Sequence, residues 1–404
     1  MAECTVAARN VGADALQSPR ISRLLSALTP AALSDFWAGV SGPLVEPYDD
    51  ESVLVSFLWR GQALSTRVWW GLDLPLERAP GTDLWHVTAR LPATLRTIYC
   101  VAHDDAVRAP RDASGAGPTH IDLGNPGVLH FPADPADPDD YHTYFSVLEL
   151  PGAPPEPWST PRPGVPAGSL TEAVLPGAAL GSPRTVAVYR PAGTPAQDLP
   201  VLVVFDGYLA RKILRIPTVL DNLIASGAVP PMVALFVSSL DKTRSLDLAP
   251  TPPIHAFVEH ELMPWARATL GAGPDRRGNI IAGASLGGLA AAYVGMCAHE
   301  LFGGVIAQSG SFWWPNPGDG EPQWLTRQVA KYPRVDVRFY LDVGVNETIA
   351  GPGGAPNQLT VVRGMRDALK GHGYDVTYTE FVGGHDYVNW RRTFADGLIA
   401  VTRA

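Results

Sequence analysis

Between Leu150 and Gly168 the chain reads LPGAPPEPWSTPRPGVPAG, with seven prolines from Pro151 to Pro166. Proline fixes its own φ and lacks the amide hydrogen that helices and central strands use, so this segment forms neither. A Pro-rich stretch spans distance as a semi-rigid spacer. It divides the 404 residues into three expected parts: 1–150, a linker at 151–168, and 169–404. Proline and glycine are abundant throughout, at 39 and 40 residues. Together they stay below the roughly 25–30% typical of low-complexity chains, and 46% hydrophobic residues can build a core. The chain is expected to fold, with many stiff loops.

The two flanking parts carry different rhythms. Before the linker, helical pieces at Ile21–Leu28 and Ala31–Val40 are punctuated by Thr29-Pro30 and Ser41-Gly42-Pro43. Runs rich in β-branched and aromatic residues follow at Ser52–Trp59, Thr66–Trp70, Leu84–Arg90 and Leu95–Ala102. Val53, Val55, Phe57 and Trp59 alternate with Leu54, Ser56 and Leu58, which buries one face and partly covers the other. Short strands at this spacing predict an immunoglobulin-like β-sandwich with short leading helices. The polar stretch Arg108–Asp140 is expected to be a surface loop. After the linker, strands alternate with helices. Strands are expected at Thr185–Tyr189, Val201–Phe205, Met232–Val237, Asn279–Ala282, Gly304–Gln308, Val337–Val343 and Val376–Phe381. Helices are expected at Thr218–Ser226, Ile254–Leu270, Leu286–Cys297, Leu359–Lys370 and Trp390–Ile399. That order predicts an α/β fold with a parallel sheet covered by helices on both faces.

Charge and cysteine usage exclude several classes. Only 18% of residues are charged, the net charge is −9, and no basic run exists to track phosphates, so nucleic acid is not an expected partner. No stretch of eighteen apolar residues occurs, so no membrane span is expected. Met1–Asn10 lacks the apolar region of a secretory signal, which makes the cytoplasm the expected compartment. Cys4, Cys100 and Cys297 have no metal spacing and form no disulfide framework. No metal or organic cofactor is expected, and the oligomeric state stays open.

The sharpest chemical signal is Gly283-Ala284-Ser285-Leu286-Gly287, set between an apolar strand and a helix of small residues. A serine at such a strand-to-helix turn is exposed above the sheet, and the glycines allow backbone to pass closely. Ser285 is the expected nucleophile, and the Leu286 N–H an oxyanion donor at the helix start. A serine hydroxyl needs a base. Gly383-Gly384-His385-Asp386 follows the last expected strand, where that base belongs in the order nucleophile, acid, histidine. Two carboxylates near the end of the preceding strand compete for the acid, Asp342 and Glu347. Glu347 is preferred because it lies in the loop beyond the strand. Asp386 is expected to cap the last helix. The second oxyanion donor is assigned to Tyr208 N–H, in the loop Asp206-Gly207-Tyr208 after Val201–Phe205.

These residues, with Phe302-Gly303-Gly304-Val305 and Gln308-Ser309-Gly310-Ser311-Phe312-Trp313-Trp314, resemble the enterochelin (enterobactin) esterase family. The likeness extends to Arg244-x-x-Asp247-Leu248, Glu261-Leu262-Met263-Pro264-Trp265 and Gly383-Gly384-His385-Asp386 with Trp390-Arg391. Phe36-Trp37, Gly42–Pro47 and Val55–Gly61 look like the N-terminal domain of these esterases. The resemblance implies an α/β-hydrolase catalytic domain that hydrolyses the ester bonds of a catecholate siderophore trilactone and releases its iron. It also implies Glu347 as the acid. The family usually has Glu where Asp247 stands, and an aromatic residue shortly after the Asp-Gly.

A ferric tris-catecholate is an anion with aromatic faces, so a chain at −9 needs cations gathered locally to bind it. Arg211, Lys212, Arg215, Lys242 and Arg244 follow the C-terminal ends of early strands, where such sheets bind ligands. Arg244 and Arg211 are the expected substrate cations, and Trp313 and Trp314 the expected aromatic wall. An esterase or thioesterase acting on another cyclic depsipeptide or acyl-peptide is the nearest alternative. A carbohydrate-directed esterase and a non-catalytic siderophore binder are the more distant ones.

Overall fold

The computed structural model describes residues 16–403 apart from 107, 196, 316, 317 and 319. Cys4 and the Met1–Asn10 segment lie outside the described residues. The first part opens with helices Pro19–Ser26 and Pro30–Ala38, each with a proline in its first turn. Their free amides are satisfied by side chains: Ser18 accepts from Arg20 and Ile21, and Thr29 from Ala32. Two antiparallel sheets follow. One is ordered Leu44–Pro47, Ser52–Arg60, Leu84–Pro92, Glu77–Arg78. The other is ordered Leu74–Pro75, Thr66–Trp70, Arg96–His103, Thr143–Glu149, Val128–Phe131, with Thr119–His120 also on Arg96–His103.

Val55, Phe57, Val68, Trp85, Tyr99 and Leu148 fill the space between the sheets. Leu58, on the opposite face of its strand from Val55 and Phe57, packs under the leading helices with Ile21, Leu24 and Phe36. The second sheet is also packed on its outer side: Trp69, Ile98, Cys100 and Phe145 pack with Ile213 and Val388 of the third part. That accounts for strand Arg96–His103 being buried at every position. The expected surface loop Arg108–Asp140 contains strands Thr119–His120 and Val128–Phe131, and strand Thr143–Glu149 had no counterpart in the sequence reading. Thr143–Glu149 pairs with both Arg96–His103 and Val128–Phe131, and Thr119–His120 pairs with Arg96–His103.

The third part is one eight-stranded sheet. Its order is Ser169–Leu175, Arg184–Arg190, Val233–Val237, Val201–Val204, Ile280–Ala284, Gly304–Gln308, Arg338–Gly344, Asp375–Phe381. From Val233–Val237 onward the strands are parallel. The wholly parallel sheet expected from the sequence needs correction at one edge. Ser169–Leu175 pairs antiparallel with Arg184–Arg190, which is antiparallel to Val233–Val237. A tight connection containing the 3₁₀ turn Ala178–Leu180 joins the first two, too short for a parallel crossover. Two apolar clusters cover the sheet, one under helices Leu286–Cys297 and Gln358–Gly371, the other under Ile216–Ala225 and Tyr387–Thr402. The helix expected over Ile254–Leu270 is an unbroken helical run from Pro252, but it includes wide π-type turns at Phe257–Leu262 and Ala266–Leu270, on either side of Pro264.

The Pro-rich linker is clamped rather than free. Glu156 lies between Arg96 of the sandwich, 3.4 Å away, and Arg391 of the last helix, 3.0 Å away. Burial raises the Glu156 pKa, but the hydrogen bond and charge of Arg391 and the charge of Arg96 outweigh it, so the net shift is downward. Asn222 donates to the carbonyls of Trp158 and Thr160, and Gly168 N–H donates to Asp221.

One carboxyl sits inside the sheet. Asp342 is fully buried on strand Arg338–Gly344 and accepts from Gln308 Nε2 and Ser309 N–H, each at 3.2 Å. Burial pushes its pKa up to about 7, against these hydrogen bonds.

Glu156→Gln is expected to lower unfolding free energy by about 2 kcal/mol in urea titrations, because two guanidinium groups lose their shared charge. Unchanged stability would make the linker a passive spacer. Asp342 has a second consequence. Between its unfolded and folded pKa values the unfolded chain holds fewer protons, so ionising Asp342 costs stability as pH rises from about 4 to 7. Asp342→Asn removes that cost. Its stability relative to the parent is expected to improve between pH 5 and pH 8, and a pH-independent difference would refute the account.

Candidate active site

Ser285 joins strand Ile280–Ala284 to helix Leu286–Cys297 with φ 58° and ψ −121°, a backbone conformation that costs a non-glycine residue energy. Glycines make the turn feasible. A Cβ on Gly283 would lie 2.4 Å from the Gly287 carbonyl carbon and oxygen. The turn is tied to the neighbouring strand by Ser285 N–H donating to the Gln308 carbonyl at 2.8 Å. The hydroxyl is thereby lifted off the sheet, and the Leu286 amide stands at the helix N-terminus, with its partial positive charge.

His385 sits between strand Asp375–Phe381 and helix Tyr387–Thr402. Its Nε2 lies 2.9 Å from Ser285 Oγ, and its Nδ1 lies 2.6 Å from Glu347 Oε2. The ring stands edge-on to Trp390, with centroids 4.7 Å apart. Glu347 is 2% exposed, and its other oxygen accepts from Ser309 Oγ at 2.6 Å and Gly344 N–H at 2.7 Å. Ser309 Oγ accepts in turn from Trp390 Nε1 at 2.9 Å. The carboxylate is therefore buried but supplied with three partners. With Nδ1–H donated to Glu347, the neutral imidazole presents a bare Nε2 to the serine hydroxyl. Such a chain can take the serine proton as the hydroxyl attacks a carbonyl.

Asp342, the alternative acid, is held by Gln308 and Ser309 on the strand, away from His385 in this hydrogen-bond chain. Asp386 caps the last helix, accepting from Asn389 N–H at 3.2 Å. Tyr208 is not in a loop. It is the second residue of helix Gly207–Lys212, whose N-cap is Asp206 at φ 52°. Its amide thus lies in a first turn, where N–H groups have no partner within the helix. The Asp206 turn lies against the serine elbow: a Cβ on Gly287 would be 3.2 Å from Asp206 Oδ2.

The expected substrate cations are engaged within the protein. Arg244 makes two 2.7 Å bonds to Asp206, one to each oxygen, and keeps 29% side-chain exposure. Burial opposes its charge, but Asp206 outweighs that and raises its pKa. Arg244 therefore fixes the turn that carries Tyr208. Arg211 lies 3.2 Å from Glu172 and 5.7 Å from the Tyr208 ring centroid. Trp313 and Trp314 are half-buried against the core with ring centroids 5.7 Å apart. Asp247 pairs with Arg184 at 2.6 Å and accepts from Thr243. The sequence reading missed Ser309 and Gln358; the latter donates to the Ser309 and Gly310 carbonyls. Position directly after strand Gly304–Gln308 was the available signal for Ser309, while nothing local marked Gln358.

Among the described residues no group of three or more His, Cys, Asp or Glu could hold a metal ion. No helix of the described residues is long and apolar enough to cross a membrane. Cys100 is buried and Cys297 exposed, both as free thiols.

Comparison with known proteins gives the family and the fold. The family model for the enterochelin esterase N-terminal domain matches residues 54–159. The iron(III) enterobactin esterase of Escherichia coli O6:H1 is 28% identical over 396 residues, covering 90% of this chain and 95% of that protein. The iron(III) salmochelin esterase of the same strain is 27% identical, covering 91% and 93%. The enterobactin esterase of Shigella flexneri, crystallised in the presence of enterobactin, superposes with a TM-score of 0.72 at 24% identity, covering 91% and 97%. It shares the fold: a sandwich followed by an α/β hydrolase. The family model described as putative esterase matches residues 177–401, more than half of the chain. The chain belongs to that esterase family, in its enterochelin esterase branch, and is a carboxylic ester hydrolase.

Proposed function

We propose that this chain is a serine esterase that hydrolyses the ester bonds of a ferric catecholate trilactone of the enterobactin type and so frees its iron. The observation that carries the reading is the continuous hydrogen-bond chain from Ser285 through His385 to Glu347, at 2.9 and 2.6 Å. Relatives that span nearly the whole chain are named for iron(III) enterobactin and iron(III) salmochelin. Iron enters this reading as cargo of the substrate.

In the proposed reaction Ser285 Oγ attacks an ester carbonyl while His385 Nε2 takes its proton. The carbonyl oxygen becomes an anion and is received by the amides of Leu286 and Tyr208. Collapse expels the substrate hydroxyl, protonated by His385, and leaves an acyl group on Ser285. Water activated by the same imidazole then releases the acid. Glu347, held by Ser309 Oγ–H and Gly344 N–H, orients His385 and stabilises the imidazolium. Trp313 and Trp314 are assigned to the catechol-facing wall, with Arg211 at the rim. Opening a siderophore after uptake is work for the cytoplasm, the compartment this reading assigns.

The test is mass spectrometry of products from a ferric catecholate trilactone. The parent enzyme is expected to yield linear ester cleavage products, and Ser285→Ala to lose roughly 10⁴-fold or more in turnover. Glu347→Gln should lose roughly 10²–10⁴-fold, whereas Asp342→Asn should stay within about threefold of the parent. Full turnover by Ser285→Ala would end the serine mechanism. A peptidyl thioester cleaved in preference to the trilactone would redirect the substrate class.

A further inference from the structure

The sandwich reaches the histidine loop. Thr97, on strand Arg96–His103, is fully buried, and its Oγ1 donates to Asp386 Oδ2 at 3.0 Å across 289 residues of sequence. Asp386 follows His385 directly and is itself fully buried. Its other oxygen accepts from the Asn389 amide N–H and from Asn389 Nδ2 at 3.1 Å. Asn389 Nδ2 also donates to the Arg96 carbonyl at 2.8 Å. Two successive residues of one sandwich strand thus grip the two residues that flank and cap the histidine loop.

Packing leaves this loop little freedom. A Cβ on Gly71 would lie 1.9 Å from Thr97 Oγ1, so space for that hydroxyl is kept open by a glycine. A Cβ on Gly383 would lie 2.2 Å from Asn389 Nδ2 and 2.9 Å from the Arg96 carbonyl. On its other side, the loop accepts Asn346 N–H on the Gly383 carbonyl at 3.1 Å, next to Glu347. The histidine loop is therefore held between the acid loop and the sandwich strand. Burial pushes the Asp386 carboxyl up to about 7, against the donors from Asn389 and Thr97. Without the Thr97 hydroxyl a buried carboxyl oxygen loses its donor, which drives rearrangement of the loop beside His385.

We propose that Thr97 is a positioning residue for catalysis: through Asp386 the N-terminal sandwich holds His385 in register with Ser285 and Glu347. The proposal rests on the serine-esterase reading above. It gives the sandwich a part in the chemical step, because a misplaced base costs rate without costing affinity.

The test uses the full chain and p-nitrophenyl butyrate, an ester that needs no siderophore recognition. Thr97→Val, Thr97→Ala and Thr97→Ser are compared with the parent in kcat, KM, melting temperature and the rate of fluorophosphonate labelling at Ser285. Thr97→Val and Thr97→Ala are expected to lower kcat about tenfold, with KM within about twofold and labelling slowed in step. Thr97→Ser, which restores the donor, should recover most of the rate. The alanine variant serves if valine prevents folding. The proposal falls if hydroxyl-free variants keep kcat within about twofold, if serine is as slow as valine, or if the loss only follows the unfolded fraction. Ser285→Ala in the same assay separates the readings. A dead Ser285→Ala with an indifferent Thr97 series rejects only the clamp, whereas an active Ser285→Ala rejects the esterase mechanism.

Discussion

The turn at Ser285 sets the terms for the rest of this structure. A serine held at φ 58° is strained, and the strain persists only where surroundings over-determine it. Here they do so from three sides. Gly283 and Gly287 give up their side chains so that two stretches of backbone pass within van der Waals distance. The strand Ile280–Ala284 lies mid-sheet between two parallel neighbours, so it cannot slide to relieve the turn. The helix that follows is buried along most of its length, from Gly287 to Gly295. The exposed hydroxyl and the free amide beside it are consequences of this packing.

The acidic balance of the chain takes on a local meaning. In a chain at −9, an anionic ligand needs gathered cations, yet three of the five candidate cations are paired within the protein. Arg244 is spent on Asp206, Arg211 faces Glu172, and Lys242 lies 2.8 Å from Asp139 of the sandwich. Their physical work is to fasten loops around the site: Arg244 fixes the turn before Tyr208, and Lys242 ties a catalytic-part loop to a sandwich loop. Tyr208 follows the same pattern, its phenolic hydroxyl donating to the Ala133 carbonyl at 2.9 Å. With Glu156 between Arg96 and Arg391, the two parts of the chain meet through buried charge and hydrogen bonds as well as through apolar packing.

Much of the α/β part was legible because its signals are local. Helix Leu286–Cys297 and strand Gly304–Gln308 have the bounds expected of them, since small residues after the elbow and an unbroken apolar run leave little choice. The site's three principal residues were legible for a related reason: each follows a strand in a fixed order. What composition did not carry is partnership at long range. Strand Ser169–Leu175 is mostly exposed, and its seven-residue register with Arg184–Arg190 makes it a strand. Arg244 looked free because nothing near it in sequence announces Asp206. Thr97 looked like one more strand residue, 289 positions from the carboxylate it serves.

The central claim is that Ser285 carries the acyl group of the ester it attacks. Rapid acid quenching of the enzyme with a ferric catecholate trilactone, followed by peptide mass mapping, tests it directly. The account predicts a transient mass increase of one acyl chain on the peptide containing Ser285, absent from Ser285→Ala. Product formation with an adduct on another residue, or equal turnover without Ser285, would contradict it.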